Sequence, residues 1–483
     1  MNLLFLYTDE QAMDTLSAYG NDLIHMPNLN RLAAESTVFE QAYVTQPVCT
    51  PSRSTLLTGL WPHTNGCVQN NIALHSSTPC LPEMLPGNHY KTAHFGKWHL
   101  GDEVFGQHGF DEWVSIEDSY FPWFSEGKDK SKRSSYNHFL KENGFIPANG
   151  DCFGRAESAG FPEEFSKPAF LANESVDFIE RNKENPFILY VNFLEPHMPF
   201  TGPRDEQYDP DMIPLPENFE HELDAANPVK ARLMSHNFCK NGFGGNDLSS
   251  SEGWRKLKAK YWGLCSQVDT HVGRILDKLN ECGLYDDTLI IFTSDHGDMM
   301  GSHQLVAKSV MFEEASRVPF LLKAPQSKTS KRVKGPVSQL DIVPTILDFL
   351  GEDIPASLPG KSLKELSLNG GQVNDDNNVY MEWTGGRRMA MLKDIPPDIE
   401  INDPEDVCGA SIRTVVTPSG WKLNWSSKDE DELYNLNDDP SEKNNLIDKT
   451  EFSEIISELR CKILEWQKLT KDRLDLKQEK AAV

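Results

Sequence analysis

No run of apolar residues in this chain is long enough to span a bilayer, so nothing in it predicts a membrane-embedded role. Positive charge is scarce: 47 Lys and Arg stand against 73 Asp and Glu, for a formal charge of −26. That balance argues against nucleic acid as a partner. It also means that a polyanion is repelled at long range, so a locally basic pocket must recruit it or the ligand is small. The cysteines at 49, 67, 80, 152, 239, 265, 282, 408 and 461 have neither metal-finger spacing nor the density of a disulfide framework. Scattered thiols of this kind suit a reducing compartment. The N-terminus as written lacks a basic region, an apolar core and a small-residue cleavage site. A cytoplasmic location is expected, or a periplasmic or secreted one if the start was trimmed. Internal repeats and long low-complexity tracts are also missing.

What is present reads as a large α/β protein. Across 483 residues the composition is 38% apolar and 25% charged, enough for one large core and a smaller satellite. Leu3 to Thr8, Val38 to Val44, Tyr90 to Phe95, Pro186 to Leu194, Thr288 to Ser294 and Val318 to Lys323 are short, nearly continuous apolar runs. Such runs mark strands buried on both faces of a sheet. Helical periodicity fills Pro27 to Ser36, Ala169 to Arg181, Ser251 to Cys282 and Gln339 to Gly351. Residues 102–168 and 201–250 read as irregular, the first as a substrate-shaping insertion. After about residue 370 come strand-like pieces at Val379 to Trp383, Ile412 to Thr417 and Trp421 to Trp425, then a helix from Glu451 to Leu474. The expected architecture is a large mixed, mostly parallel sheet flanked by helices over residues 1–369. A smaller antiparallel sheet plus helix is expected over 370–483.

The stretch with the most chemistry is Cys49-Thr50-Pro51-Ser52-Arg53-Ser54-Thr55-Leu56-Leu57-Thr58-Gly59. It follows an apolar strand and reads as a tight turn into a helix closed by Gly59, with a sulfur at the helix mouth. Backbone N–H groups there favour an anion. By chemistry alone the cysteine is either a buried structural thiol or a nucleophile beside an anion site. Other polar groups also follow strands. Asp9-Glu10 comes after the first, where open α/β sheets bind ligands. Lys97 and His99 come after Phe95, Glu195-Pro196-His197 after Leu194, and Asp295-His296 after Ser294. Carboxylates from two strand ends that meet at one point suit a divalent cation.

The Cys-x-Pro-Ser-Arg run with its Leu-Thr-Gly resembles the signature of the type I sulfatases, within the alkaline-phosphatase-like superfamily. Gly96-Lys97-Trp98-His99-Leu100-Gly101, Pro196-His197-Met198-Pro199-Phe200 and Lys308 with Glu313 and Arg317-Val318-Pro319 are similar to further elements of that family. The resemblance implies that Cys49 is oxidised to Cα-formylglycine by a maturation enzyme and that its hydrated aldehyde attacks sulfur. It also implies that Asp9, Asp295, His296, position 49 and Glu10 hold a cation. Glu10 stands where the family places a second Asp. Calcium is the usual ion; the imidazole leaves Mg²⁺ or another divalent metal open. Arg53 and Lys97 would stabilise the nucleophile, Lys97, His197 and Lys308 would contact the sulfate, and His197 with Lys308 would protonate the leaving group. His99 would take the proton that expels sulfate from the covalent ester.

The substrate expected is a sulfated small molecule or saccharide. Trp383, Arg387 and Arg388 lie on a C-terminal segment that could approach it, with Arg387 and Arg388 as candidate anion contacts. Two other readings remain: a phosphonate monoester or phosphodiester hydrolase of the same superfamily, and a non-catalytic homologue that binds anionic glycans. A full set of catalytic groups argues against the second.

Overall fold

Strand β1, Asn2–Asp9, lies inside the larger of two sheets and is buried along its whole length. Its side chains alternate between two cores. Leu4 and Leu6 pack with the helices Pro27–Ala34, Lys167–Asn182 and Ser251–Glu281. Leu3, Phe5 and Tyr7 pack with Cys49–Thr58 and Ile342–Leu350 on the opposite face. Because both faces are covered, the strand reads as a continuous apolar run rather than an alternating one. The structure is a computed structural model and describes residues 1–483 apart from 88, 121–123, 386–394, 397–398, 400, 402 and 477–483.

The other strands of this sheet are β2 (Thr37–Tyr43), β3 (Lys91–Gly96), β4 (Glu112–Val114), β5 (Phe187–Pro196) and β6 (Thr288–Ser294). They are followed by β7 (Arg317–Val318), β8 (Phe320–Lys323), β9 (Lys331–Ser338) and β10 (Gly371–Gln372). The order is β10-β9-β2-β8-β6-β1-β5-β3-β4, with β7 paired to β2. Strand β1 is parallel to β5 and β6, with Leu3 opposite Ile188 on one side and Leu289 on the other. Only β7 and β8 run against the rest. The mostly parallel mixed sheet expected from the apolar runs is therefore present.

Strands β11 (Val379–Thr384), β12 (Ser411–Val416), β13 (Trp421–Ser426) and β14 (Glu432–Asn435) form the smaller antiparallel sheet. The helix Ser453–Thr470 covers it through Ile456, Leu459 and Ile463 against Val415, Leu423 and Trp425. A buried charge cluster fastens this unit to the larger one. Lys422 Nζ lies 2.9 Å from both Glu313 Oε1 and Glu442 Oε1, and Tyr43 donates to Glu313 Oε2 at 2.9 Å.

Two segments expected to be irregular carry helices. Val229–Asn241 follows Pro228 and buries Lys230, Met234 and Phe238 at i, i+4 and i+8. In the sequence, the prolines of 201–228 mask that periodicity. Within 102–168 the short helices Ser135–Glu142 and Arg155–Ala159 and strand β4 occur.

Close packing between β3 and β5 depends on Gly96, which ends β3 with φ +115°. A Cβ at this position would lie 1.9 Å from the Asn192 carbonyl oxygen, so the backbones can meet only with glycine. Gly96→Ala is expected to destabilise the fold by roughly 3 kcal/mol or more, read as a fall in the urea midpoint.

Candidate active site

Every parallel strand beside β1 releases its chain at the same edge of the sheet, and polar residues follow each one. Asp9 and Glu10 leave β1, Lys97 and His99 leave β3, His197 leaves β5, and Asp295 and His296 leave β6. Cys49 reaches this edge from the helix Cys49–Thr58, where it is the first helical residue after extended Val48. Gly59, at φ +67°, ends the helix and donates its N–H to Thr55 O at 2.8 Å. Thr50 Oγ1 donates to His99 O at 2.7 Å, which ties the helix mouth to the loop after β3.

Cys49 and Arg53 are four residues apart and so share one face of the helix. The Arg53 guanidinium is fully buried and all of its directions are used. Nη2 donates to Asp9 Oδ2 at 2.7 Å, Nε to Asp295 Oδ2 at 2.8 Å and Nη1 to Lys97 O at 2.8 Å. Lys97 Nζ also donates to Asp9 Oδ2. The outer oxygen of each aspartate is thereby engaged, and the inner oxygens face one another. Asp9 Oδ1 is 3.7 Å from Cys49 Sγ and 3.8 Å from His296 Nε2, and Asp295 Oδ1 is 3.6 Å from that same nitrogen. His296 Nδ1 donates to Gly297 O at 2.9 Å, which leaves Nε2 directed at the cluster, 3.3 Å from Cys49 Sγ. One ligand atom from each of Asp9, Cys49, Asp295 and His296 thus falls within 4.8 Å of the others.

The electrostatics follow from this packing. Burial and the Cys49 sulfur push Asp9 up, but Lys97 and Arg53 outweigh them and hold it well below the carboxylate range. Burial disfavours the Cys49 thiolate, yet Lys308, Lys97 and His296 hold the thiol well below its ordinary value. Burial disfavours the charged form of His296, while Asp295 and Cys49 draw a proton onto it and push it up to about 9. The cluster is a place that attracts positive charge.

On the solvent side, His99 Nε2 lies 2.9 Å from Asn71 Oδ1, and its Nδ1 has no hydrogen-bond partner among the described residues. Burial and the nearby Lys97 lower His99 to about 4, so it is neutral at neutral pH. Glu103 fixes its backbone by accepting the N–H groups of Trp98, at 2.9 Å, and His99, at 2.5 Å. Lys308 Nζ donates to Glu10 Oε2 at 3.0 Å, and His197 Nε2 lies 3.6 Å from the same oxygen. Burial lowers Lys308, but Cys49 and Glu10 outweigh it and keep the ammonium charged. His197 is lowered by burial and by Lys308. Asp298 accepts the N–H groups of Met300 and Ala307, which sets the loop that delivers Lys308. Glu10, Asn71, His99, Ala307 and Ser309 all have positive φ. Non-glycine residues of this conformation gather where surrounding contacts over-determine a site.

These groups line a cleft of about 650 Å³ formed by Cys49, Asn70, Asn71, Lys97, His99, Ser119, Tyr120, Arg155, His197, Met198, Ala307 and Lys308. The sequence-derived residues Cys49, Arg53, Lys97, His99, His197, Lys308, Asp9, Glu10, Asp295 and His296 all converge here. Glu10 joins a second potential ligand group, with Asp9 and His197, rather than the four-residue cluster. Arg387 and Arg388 lie outside the described residues. Trp383 is buried beneath Lys230, whose Nζ is 3.9 Å from the ring centroid. Gln69 Nε2 donates to the carbonyls of Thr384 at 3.1 Å and Gly385 at 2.9 Å, so the segment after β11 begins beside Asn70. Asn71, Tyr120 and Arg155 have no counterpart in the sequence reading.

A model of the Sulfatase family matches residues 1–352. The chain belongs to the sulfatase family. It is 30% identical to an arylsulfatase of Clostridium perfringens over 95% of this chain and 92% of that one. It is 27% identical to an N-acetylglucosamine-6-O-sulfatase of Bacteroides thetaiotaomicron, over 98% and 87% of the two chains. In fold it is similar to a phosphonate monoester hydrolase from Silicibacter pomeroyi, with a TM-score of 0.75, 22% identity, and 98% and 96% coverage.

The Arg53 hub carries a measurable cost of removal. Arg53→Met leaves two buried carboxylates with too little compensation and is expected to destabilise the protein by about 3–5 kcal/mol in chemical denaturation.

Proposed function

We propose that this sulfatase-family enzyme hydrolyses a sulfate ester on a sulfated saccharide, with position 49 as the nucleophile site and a divalent cation beside it. The observation that carries the reading is the arrangement of Asp9, Cys49, Asp295 and His296, whose inner atoms face one another while Arg53 and Lys97 engage the outer aspartate oxygens. Two carboxylates, an imidazole with its tautomer set from outside, and the drawing of a proton onto His296 fit a cation-binding donor set. Calcium suits the carboxylates, and the imidazole admits Mg²⁺ or a transition ion. Glu10, turned to Lys308 and His197, serves as their anchor and as an outer candidate ligand. When bound, the ion would supply Lewis-acid polarisation of the sulfate oxygens. Oxidation of Cys49 to Cα-formylglycine by a separate maturation enzyme would supply, as the hydrated aldehyde, an oxygen nucleophile.

The remaining roles belong to the chain's own side chains. Lys97 and Arg53 orient position 49 and balance the charge of Asp9 and Asp295. Lys308, held cationic, faces the sulfate oxygens. His197, neutral without substrate, gains basicity when the sulfate anion sits beside it and, with Lys308, delivers the proton to the leaving oxygen. His99 takes a proton at its unpartnered Nδ1. Residues 1–369 hold these groups, and 370–483 form a subdomain that meets the Gln69 side chain next to Asn70 of the cleft wall. The Bacteroides relative, named for an amino-sugar sulfate, supports a saccharide. A second reading, phosphonate monoester hydrolysis, is favoured by the like-folded Silicibacter enzyme. A purely glycan-binding role would leave the nucleophile and proton-transfer groups without a use.

Three measurements test the reading. The tryptic peptide carrying Cys49 is expected to contain an aldehyde only in protein made with a formylglycine-generating partner. Aryl-sulfate turnover should track that conversion and vanish in Cys49→Ala; full activity with an unmodified thiol sinks the mechanism. Ca²⁺, Mg²⁺ or Mn²⁺ at 100 times its Kd should stabilise the protein by about 2.7 kcal/mol in thermal denaturation, and Asp295→Asn should remove most of that gain. With matched aryl esters, kcat/KM for sulfate should exceed that for phosphonate; the opposite order assigns the second reading.

A further inference from the structure

Arg155 lies on the helix Arg155–Ala159 and lines the same cleft as Cys49. Its guanidinium is held in place by two groups. Nε donates to Glu117 at 3.1 Å (Oε1) and 2.8 Å (Oε2), and Nη2 donates to Glu117 Oε2 and, at 3.0 Å, to the Tyr120 hydroxyl. Nη1 makes no hydrogen bond among the described residues. The side chain retains 25% of its surface and lines the cleft, so the guanidinium is not sealed into the protein.

Neutralising Glu117 does not require Arg155. Lys167 Nζ already donates to Glu117 Oε1 at 2.7 Å, and Lys167 and Glu117 are both buried. Two cations therefore face one carboxylate and leave a surplus positive charge. Two other acids act on this group: Asp9, already engaged by Arg53 and Lys97, and Glu195, which burial pushes up to about 7 and whose Oε2 has no hydrogen-bond partner among the described residues. Tyr120 connects this charge to the reaction centre. Its hydroxyl contacts Arg155 and its ring lies 4.9 Å from the His99 ring. A fixed guanidinium with an open edge, one tyrosine away from the sulfate position, is a place for a second oxyanion.

We propose that Arg155 is a specificity-determining residue that binds a second anionic substituent of the substrate, a carboxylate or a further sulfate, through its open Nη1 edge. This rests on the sulfatase reading above and narrows it to a saccharide bearing at least two negative groups. The basic residue thus placed in the cleft accounts for how a chain of charge −26 would hold such a substrate.

The test uses matured enzyme turning over 4-nitrophenyl sulfate, inhibited by three saccharides: N-acetylglucosamine 6-sulfate, glucosamine 2-N,6-O-disulfate, and 6-sulfated N-acetylglucosamine linked to glucuronate. The wild type is expected to bind at least one doubly anionic saccharide ten or more times more tightly than the singly anionic one. Preference for the disulfate alone identifies sulfate, and preference for the uronate alone identifies carboxylate. In Arg155→Lys, which keeps a cation against Glu117, and in Arg155→Ala, that preference should fall at least tenfold. Because a ratio of inhibition constants is read, loss of folded enzyme cancels. No preference in the wild type, or a preference that survives in both variants, overturns the proposal. If matured wild type turns over no 4-nitrophenyl sulfate, the sulfatase reading itself falls, and this inference with it.

Discussion

One buried guanidinium organises the catalytic edge of this protein. Arg53 joins the carboxylates that end β1 and β6 and the backbone that ends β3, so three strands and one helix meet on a single side chain. A lysine could not do this, because the task needs donors in fixed, divergent directions. Two buried aspartates without Arg53 would repel each other and be driven towards protonation. With it, Asp9 is held well below the carboxylate range, the upward push of burial and of Asp9 on Asp295 is opposed, and both turn an inner oxygen towards Cys49. The position of Cys49, the proposed nucleophile site, follows from the same residue, one helical turn away. Stability and chemistry here share a common origin, and the cost of desolvating the charges is met by hydrogen bonds on nearly every polar atom.

The acidic character of the chain and the basic character of its cleft are complementary facts. Lys97, Lys308, Arg155 and two histidines line a cavity in a protein of formal charge −26. Negative charge on the outer surface disfavours loose binding of polyanions, while cations inside the cleft act over a few ångströms where screening by salt is weak. Selection is thereby shifted from long-range attraction to contact.

Much of this arrangement could be read before the fold was known. Strands covered on both faces leave continuous apolar runs, and β1, β5 and β6 are legible for that reason. Polar residues directly after such runs fall at one edge of a parallel sheet, which makes Asp9, His197 and Asp295 candidates; the family resemblance is what singles them out. Strand β9 escaped notice because Lys331-Arg332-Val333-Lys334-Gly335-Pro336 looks like a charged loop; only its pairing with β2 makes it a strand. Arg155, Tyr120 and Glu117 escaped for a different reason. They come from a segment without periodicity, and what makes them a unit is tertiary contact alone. Glu10 was visible as an acid after a strand, but its turn towards Lys308 depends on a backbone conformation, φ +73°, that residue type does not announce.

The register of β1 has a consequence for how the protein comes into being. This strand precedes both of its neighbours in the chain by a long way, since they begin at Phe187 and Thr288. The edge that pairs with β6 must wait until residue 294 of the 483 has been synthesised, which makes the topology one of high contact order. Cys49, 1% exposed in the finished fold, spends that interval on a chain whose central sheet cannot yet have closed over it. The order of the strands along the chain thus sets the earliest point at which the central sheet can close over position 49.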